Sequence, residues 1–294
     1  MSSTGSTTAA TGQTSVQTSG QTSGQTSERT PLLVFGDDRS AHADRAWLWI
    51  NNQRWPGWGV DVVTAGPDPG DVWSDELPIR FRPWEPADPR TPFAESGIGR
   101  VTHLRSGADP RLALESCRHA DLVVVGPKGG RGVKTLFLGS TADHLLRNPP
   151  APLVIATAPS PVTRALVCTD GSAAAQRAVE VFGRLPLSQG AHVAVIGVTG
   201  AGGDADAVRR GLDAAASSLA PLAPELIRAA TTEEDNVAGV ILDHAFALGA
   251  QLLVVGTRGL GGLRRILLGS TAGAVARVAP CSILVVPPEP APEE

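Results

Sequence analysis

A long-range duplication organises the chain. Gly126-Pro127-Lys128-Gly129, nine residues and then Gly139-Ser140-Thr141 are matched by Gly256-Thr257-Arg258-Gly259, nine residues and then Gly269-Ser270-Thr271. The offset is 130 at every glycine, and Gly132, Leu138, Ala142, Arg147 and Pro150 meet Gly262, Leu268, Ala272, Arg277 and Pro280 at that same offset. A period this long signals duplicated folding units. The flanks agree. Leu122-Val123-Val124-Val125 and Leu252-Leu253-Val254-Val255 are continuous apolar runs, as are residues 152–156 and 282–286; such runs suit strands buried on both faces of a parallel sheet. Near the start of each half, Leu32-Leu33-Val34-Phe35 leads to Asp38-Arg39-Ser40, and Ala165-Leu166-Val167-Cys168 leads to Asp170-Gly171-Ser172, here with an offset of 132.

The second half reads as strands at 165–169, 192–198, 225–230, 251–255 and 282–286 with helices between them. The clearest helix follows Asn236, with Val237, Val240, Ile241, His244, Ala245 and Leu248 at helical spacing and Asn236 placed as its cap. Alternating strands and helices predict an α/β fold, two tandem doubly wound parallel sheets of five strands each. The first half follows the same plan except at residues 66–99, where seven prolines replace an expected second helix and predict a loop.

At 294 residues the chain has room for two domains, expected at 31–160 and 161–288. They are preceded by a Ser/Thr/Gly/Gln tail over 1–30, too poor in apolar groups to order itself, and followed by a short acidic tail over 289–294. A net charge of −4 argues against a general nucleic-acid binder, which needs a basic surplus. No apolar run is long enough to span a bilayer, so no membrane partner is expected. Three scattered cysteines without a CxxC support neither a disulfide framework nor a zinc knuckle and fit the reducing cytoplasm. The six histidines show no ligand spacing, so no metal site is expected. Asp37-Asp38 and Glu233-Glu234-Asp235 read as solvated loop charges rather than acid/base pairs. All six tryptophans fall within 38 residues of the first half and read as core.

In an open parallel sheet a ligand sits beyond the carboxyl ends of the strands, where neighbouring connections leave in opposite directions. Right-handed crossovers put the first and fourth strands of each half at that point. The loops after them carry the chemistry: an aspartate, Asp38 or Asp170, and a glycine-rich segment beginning at Gly126 or Gly256. Glycines let a backbone approach a phosphate, and a helix opening at Ser140-Thr141 or Ser270-Thr271 presents free N–H groups to an anion. Residues 126–141 and 256–271 contain lysine or arginine but no acid, and Lys128 and Lys134 are the only lysines in the chain. A carboxylate opposite such a cradle can accept hydrogen bonds from ribose hydroxyls. A nucleoside phosphate satisfies both ends.

This G-x2-G-x9-G-S pattern, twice in register after a fourth strand, resembles the ATP-binding members of the universal stress protein family, over roughly residues 31–288. The resemblance implies a Rossmann-like, adenine nucleotide alpha hydrolase-like fold and ATP as ligand, with or without magnesium. It implies that Asp170 holds the ribose and that Gly256, Arg258, Gly259, Gly269, Ser270 and Thr271 wrap the phosphates. In the first half the corresponding set is Asp38, Gly126, Lys128, Gly129, Gly139, Ser140 and Thr141. Adenine is implied near Val198 and Ala65. The first half departs from the pattern, with Arg39 in place of the glycine of Asp-Gly-Ser and Pro127 inside the first glycine pair. The resemblance further implies pairing of the two halves through their last strands as an internal pseudo-dimer, association of two such chains as a homodimer, and an unidentified protein partner. It suggests a nucleotide-dependent regulator of the stress response and not a fast enzyme. An enzyme of adenylate chemistry and a scaffold that binds no nucleotide are the alternatives.

Overall fold

The computed structural model describes residues 1–2, 29–66, 79–128, 138–231, 236–257 and 268–289. The first half runs β1 (Leu32–Gly36), α1 (Ala41–Asn51), β2 (Gly59–Ala65), β3 (Arg82–Pro83), β4 (Arg100–Ser106), α2 (Pro110–Glu115), β5 (Leu122–Val125), α3 (Ser140–Arg147) and β6 (Leu153–Ile155). The second runs β7 (Arg164–Thr169), α4 (Ala173–Arg184), β8 (His192–Thr199), α5 (Ala205–Ser218), β9 (Glu225–Ala230), α6 (Val237–Leu248), β10 (Leu252–Gly256), α7 (Ser270–Val278) and β11 (Ser282–Val286).

The strands form one sheet of eleven in the order β3-β4-β2-β1-β5-β6-β11-β10-β7-β8-β9. Within each half the five long strands are parallel, and the first lies between the second and the fourth. The doubly wound plan is therefore present twice, and the halves meet where β6 and β11 pair antiparallel, Ile155 opposite Ile283 and Leu153 opposite Val285. The linker is held from the first half. Gln53 accepts the buried Val162 amide at 2.9 Å, and the Asn52 side chain reaches the Pro159 carbonyl.

Strand alternation sorts the core into two faces. Leu33, Phe35, Leu122 and Val124 face α1, while α4 and α5 cover the continuation of that face in the second half. Val34, Val123 and Val125 face the layer containing α2, α3, α6 and α7. The first face poses a packing problem, because among the described residues the first half has no counterpart of α5. Trp47, Trp49, Trp55 and Trp58 fill the space, all at most 7% exposed. The Trp55 indole N–H donates to the Ile50 carbonyl at 2.8 Å, and its ring lies 5.3 Å from that of Trp58 and 6.4 Å from that of Trp49. Trp84 is half-buried, and Trp73 lies outside the described residues.

The described part of the proline-rich segment has no α-helix, as its prolines require. It contains the two-residue edge strand β3, antiparallel to β4, and one 3-10 turn at Ala94–Ser96. That turn docks on the tryptophan loop: the Trp55 amide donates to the Ser96 carbonyl at 2.6 Å and the Gly99 amide to the Trp58 carbonyl at 2.9 Å. The helix expected after Asn236 is present, but Asn236 supplies no side-chain cap. It sits at the N-cap position with φ −94° and ψ 7°, outside the extended conformation that aims a capping side chain at the helix amides. The N-terminal tail from residue 3 to 28 and the acid run Glu233-Glu234-Asp235 lie outside the described residues.

Candidate functional site

The loops that leave β1 and β7 fold alike. Asp38 Oδ1 accepts the Ser40 amide at 3.0 Å and Asp170 Oδ1 accepts the Ser172 amide at 2.9 Å. Each is a local turn in which a carboxylate stands in for a backbone acceptor two residues on. The serines then cap the next helices, Ser40 Oγ accepting from the Ala43 amide and Ser172 Oγ from the Ala175 amide. The neighbouring loops are equally alike. Gly126, just after β5, and Gly256, at the end of β10, lie so close to the first turns of α1 and α4 that a Cβ would lie 2.9 Å from the His42 carbonyl oxygen and 2.6 Å from that of Ala174. These two glycines are required by backbone approach alone. Each loop closes in the same way, the Gly139 amide donating to the Pro127 carbonyl at 2.7 Å and the Gly269 amide to the Thr257 carbonyl at 2.6 Å.

Those two amides are therefore committed to protein carbonyls, and the donors left at these helix starts belong to the residues that follow. α3 and α7 have glycine at the N-cap and no side-chain cap, whereas Ser40, Asp109, Ser172 and Asp204 cap α1, α2, α4 and α5. An uncapped first turn leaves its N–H groups and the positive end of its dipole for an outside acceptor.

In the first half a cavity of about 300 Å³ opens at this point, bordered by Asp38, Ala65, Gly126, Lys128, Ser140 and Thr141. Six of the eight residues expected there thus line one space. Gly139 lies just behind them, and Gly129 is outside the described residues. Val63 and Ala65 at the end of β2, with Pro110 and Leu114 of α2, make an apolar wall. Lys128 and the start of α3 make the cavity's cationic lining, and Asp38 adds a carboxylate from the loop after β1. In the second half Asp170, Gly256, Gly269, Ser270 and Thr271 occupy the matching loops and helix start. Val198 packs its side chain into the core from β8, so only its main chain is placed to meet a ligand. Arg258 and Gly259 lie outside the described residues.

Asp37 is a correction to the sequence reading. Its side chain is fully buried, and the Arg90 guanidinium donates to both carboxylate oxygens, Nε to Oδ2 at 2.9 Å and Nη2 to Oδ1 at 2.8 Å. Arg90 Nη1 pairs in addition with Asp44 of α1 at 2.8 Å. The hydrogen bond to Asp37 holds the Arg90 guanidinium more firmly protonated than an ordinary arginine. A forked guanidinium matched to a buried carboxylate is strong geometry, far from a pair of solvated loop charges. A signal did exist. At the offset of 132, Asp37 stands where the second half has Thr169, and a carboxylate at a buried strand end demands a cation. Nothing in the spacing singled out Arg90, 53 residues away.

Arg39 has φ 60°, the left-handed conformation that Gly171 has in the second half at φ 82°. Its Nε lies 3.1 Å from Asp37 Oδ2, its Nη1 donates to the Asp88 carbonyl at 2.5 Å, and its guanidinium lies over Trp84 at 5.8 Å. His103 of β4 accepts the Arg90 amide on Nε2 at 2.9 Å. Burial, with the Arg39 charge and to a smaller degree that of Arg90, pushes its pKa below the ordinary 6.5, opposed by Asp37. Folding then favours the neutral ring: its contribution is complete above 6.5 and is lost as pH falls through the lowered folded value. Urea midpoints at pH 7.5 and 5.5 are expected to differ less for His103→Gln than for the native protein; equal differences would remove this role.

No helix among the described residues is long and apolar enough to cross a membrane, and none of their His, Cys, Asp and Glu side chains form a group of three or more that could hold a metal ion. Comparison with known proteins bears on the same loops. The universal stress protein family pattern matches residues 84–157 and again 161–287. The first match begins inside the proline-rich segment and leaves β1, α1 and β2 outside it. A universal stress protein of Mycolicibacterium smegmatis is 27% identical over 208 residues, covering 65% of this chain and 70% of that protein. Universal stress protein YxiE of Bacillus subtilis is 44% identical over 46 residues, which span 16% of this chain and only 31% of that relative. Among solved structures, a universal stress protein from Archaeoglobus fulgidus superposes with a TM-score of 0.62 at 17% identity, covering 88% of this chain and 99% of that one, which speaks to the fold alone. With two tandem matches spanning most of its length, the chain belongs to the universal stress protein family.

Proposed function

We propose that the chain binds an adenine nucleotide, ATP, at the first-half cavity and its second-half counterpart, and acts in the cytoplasm as a nucleotide-dependent regulator of the stress response that signals to a protein partner. The observation that carries this reading is the union, around one cavity of about 300 Å³, of a carboxylate, a lysine and an uncapped helix start. Asp38 accepts the ribose hydroxyls. Lys128 and the amides of Ser140 and Thr141 take the phosphates, and the apolar wall of Val63, Ala65, Pro110 and Leu114 receives the base. Asp170, Ser270 and Thr271 have the same roles in the second half. These residues bind and orient; none is placed to activate a water, so any turnover is slow. A magnesium ion would come with the phosphate oxygens.

Equilibrium dialysis against labelled ATP tests the reading. Saturable binding is expected, and Lys128→Ala is expected to weaken the first site about tenfold, the usual worth of one charge-assisted hydrogen bond. Absence of saturable binding by the native protein would overturn it.

A further inference from the structure

The proline-rich segment is tied to the first site at Asp37 and at Arg39. Asp37 Oδ1 accepts the Arg39 amide at 3.0 Å, the bond that Thr169 Oγ1 makes with the Gly171 amide at 3.2 Å in the second half. In both halves this bond shapes the turn that presents the next aspartate, Asp38 or Asp170. The second half does this with a neutral hydroxyl. The first does it with a buried carboxylate, which Arg90 grips with two hydrogen bonds from the segment and ties to Asp44 on α1. Asp37 also borders the cavity. Arg39, which Asp37 holds from its own turn, reaches back to the segment at Asp88 and Trp84.

We infer that Arg90 is a positioning residue for the first site, and that through it the proline-rich segment and the nucleotide regulate one another. This rests on the nucleotide reading above. Arg90 touches no ligand; it fixes Asp37, which fixes the Asp38 turn. Coupling between two sites is reciprocal. If docking of the segment tightens the first site, occupancy of that site clamps the segment by the same factor, and the segment becomes the surface on which nucleotide status is displayed. Among the described residues the second half has no such tie, since Thr169 needs no cation.

The test uses the full chain and a photoreactive azido analogue of ATP, with peptide mapping to separate the halves. Arg90→Met is expected to raise the half-saturation of first-half labelling about tenfold, within the common range for coupled sites, and to leave second-half labelling unchanged. In the native protein ATP is expected to slow chymotryptic cleavage at Phe81, Trp84 and Phe93 by a similar factor, and in Arg90→Met to slow it little. Arg90→Met strips the buried Asp37 carboxylate of its forked partner, leaving it the Arg39 contact, and can unfold the first half, so the deciding variant is Asp37→Thr with Arg90→Met. It gives the first half the second half's turn and is expected to restore first-half labelling without restoring protection of the segment. Native labelling of the first half that Arg90→Met leaves unchanged, equal weakening of both halves, or no recovery in the double variant each overturns the inference while the nucleotide reading stands. No labelling of the native first half overturns both.

Discussion

Gly171→Ala is expected to destabilise the second half by roughly 3 kcal/mol, the sum of a left-handed backbone penalty and the overpacking of a filled contact. The position has φ 82°, and a Cβ there would lie 2.1 Å from the Ala207 carbonyl oxygen of α5. The obstacle is helix backbone, which cannot rotate away as a side chain does. From the other side, a Cβ on Gly211 would lie 2.7 Å from the Gly171 Cα, so the turn and α5 touch backbone to backbone. α5 must lift for any side chain to enter, and with it go Val208, Leu212 and Ala215 from the core. Urea denaturation followed by circular dichroism should show a lowered midpoint, and hydrogen exchange should place the loss in α5. An unchanged midpoint would mean that α5 yields cheaply. In the first half no helix among the described residues lies over this turn, and Arg39 occupies the same left-handed position and sends its side chain out to Asp88 and Trp84.

That contrast marks what could and could not be read from the sequence. The strands of the second half and the pairing of β1 with β5 and β7 with β10 follow from apolar runs and a fixed offset, because both depend on local pattern and crossover handedness. The gathering of Asp38, Lys128, Ser140 and Thr141 around one cavity follows from the same topology. Arg90 was not legible. It belongs to an irregular segment without period, and its partner lies across a contact that only packing creates. The closure of Gly139 onto the Pro127 carbonyl was hidden for a related reason: a glycine that approaches a phosphate and a glycine that closes a loop look the same in one dimension. Asn236 shows the limit of motif reading, since the residue type suits a cap and the backbone angles do not.

Trp55→Ala is expected to cost the first half about 3–5 kcal/mol, the usual range for truncating a fully buried aromatic. Trp55 is 0% exposed, and it is the centre of the cluster, with Trp49 on one side and Trp58 on the other. Its removal also strips the Ile50 carbonyl of its indole donor. The Trp55–Trp58 loop is where the proline-rich segment docks through Ser96 and Gly99, so the cavity left by the indole lies under that docking surface. A domain held by a net 5–15 kcal/mol cannot absorb such a loss unchanged. In denaturant, loss of first-half structure is expected at a lower concentration than in the native protein, read from the remaining tryptophan fluorescence. Trp55→Phe should recover much of the difference, because a phenyl ring retains the stacking and most of the volume but not the indole N–H. If alanine and phenylalanine behave alike, the hydrogen bond and not the bulk is what matters. If neither shifts the transition, the tryptophans do not do for the first half what α5 does for the second. That place must be filled by something, since β1 and β2 present Leu33, Phe35, Val60 and Val62 to this face, and an apolar face on a parallel sheet is stable only when covered.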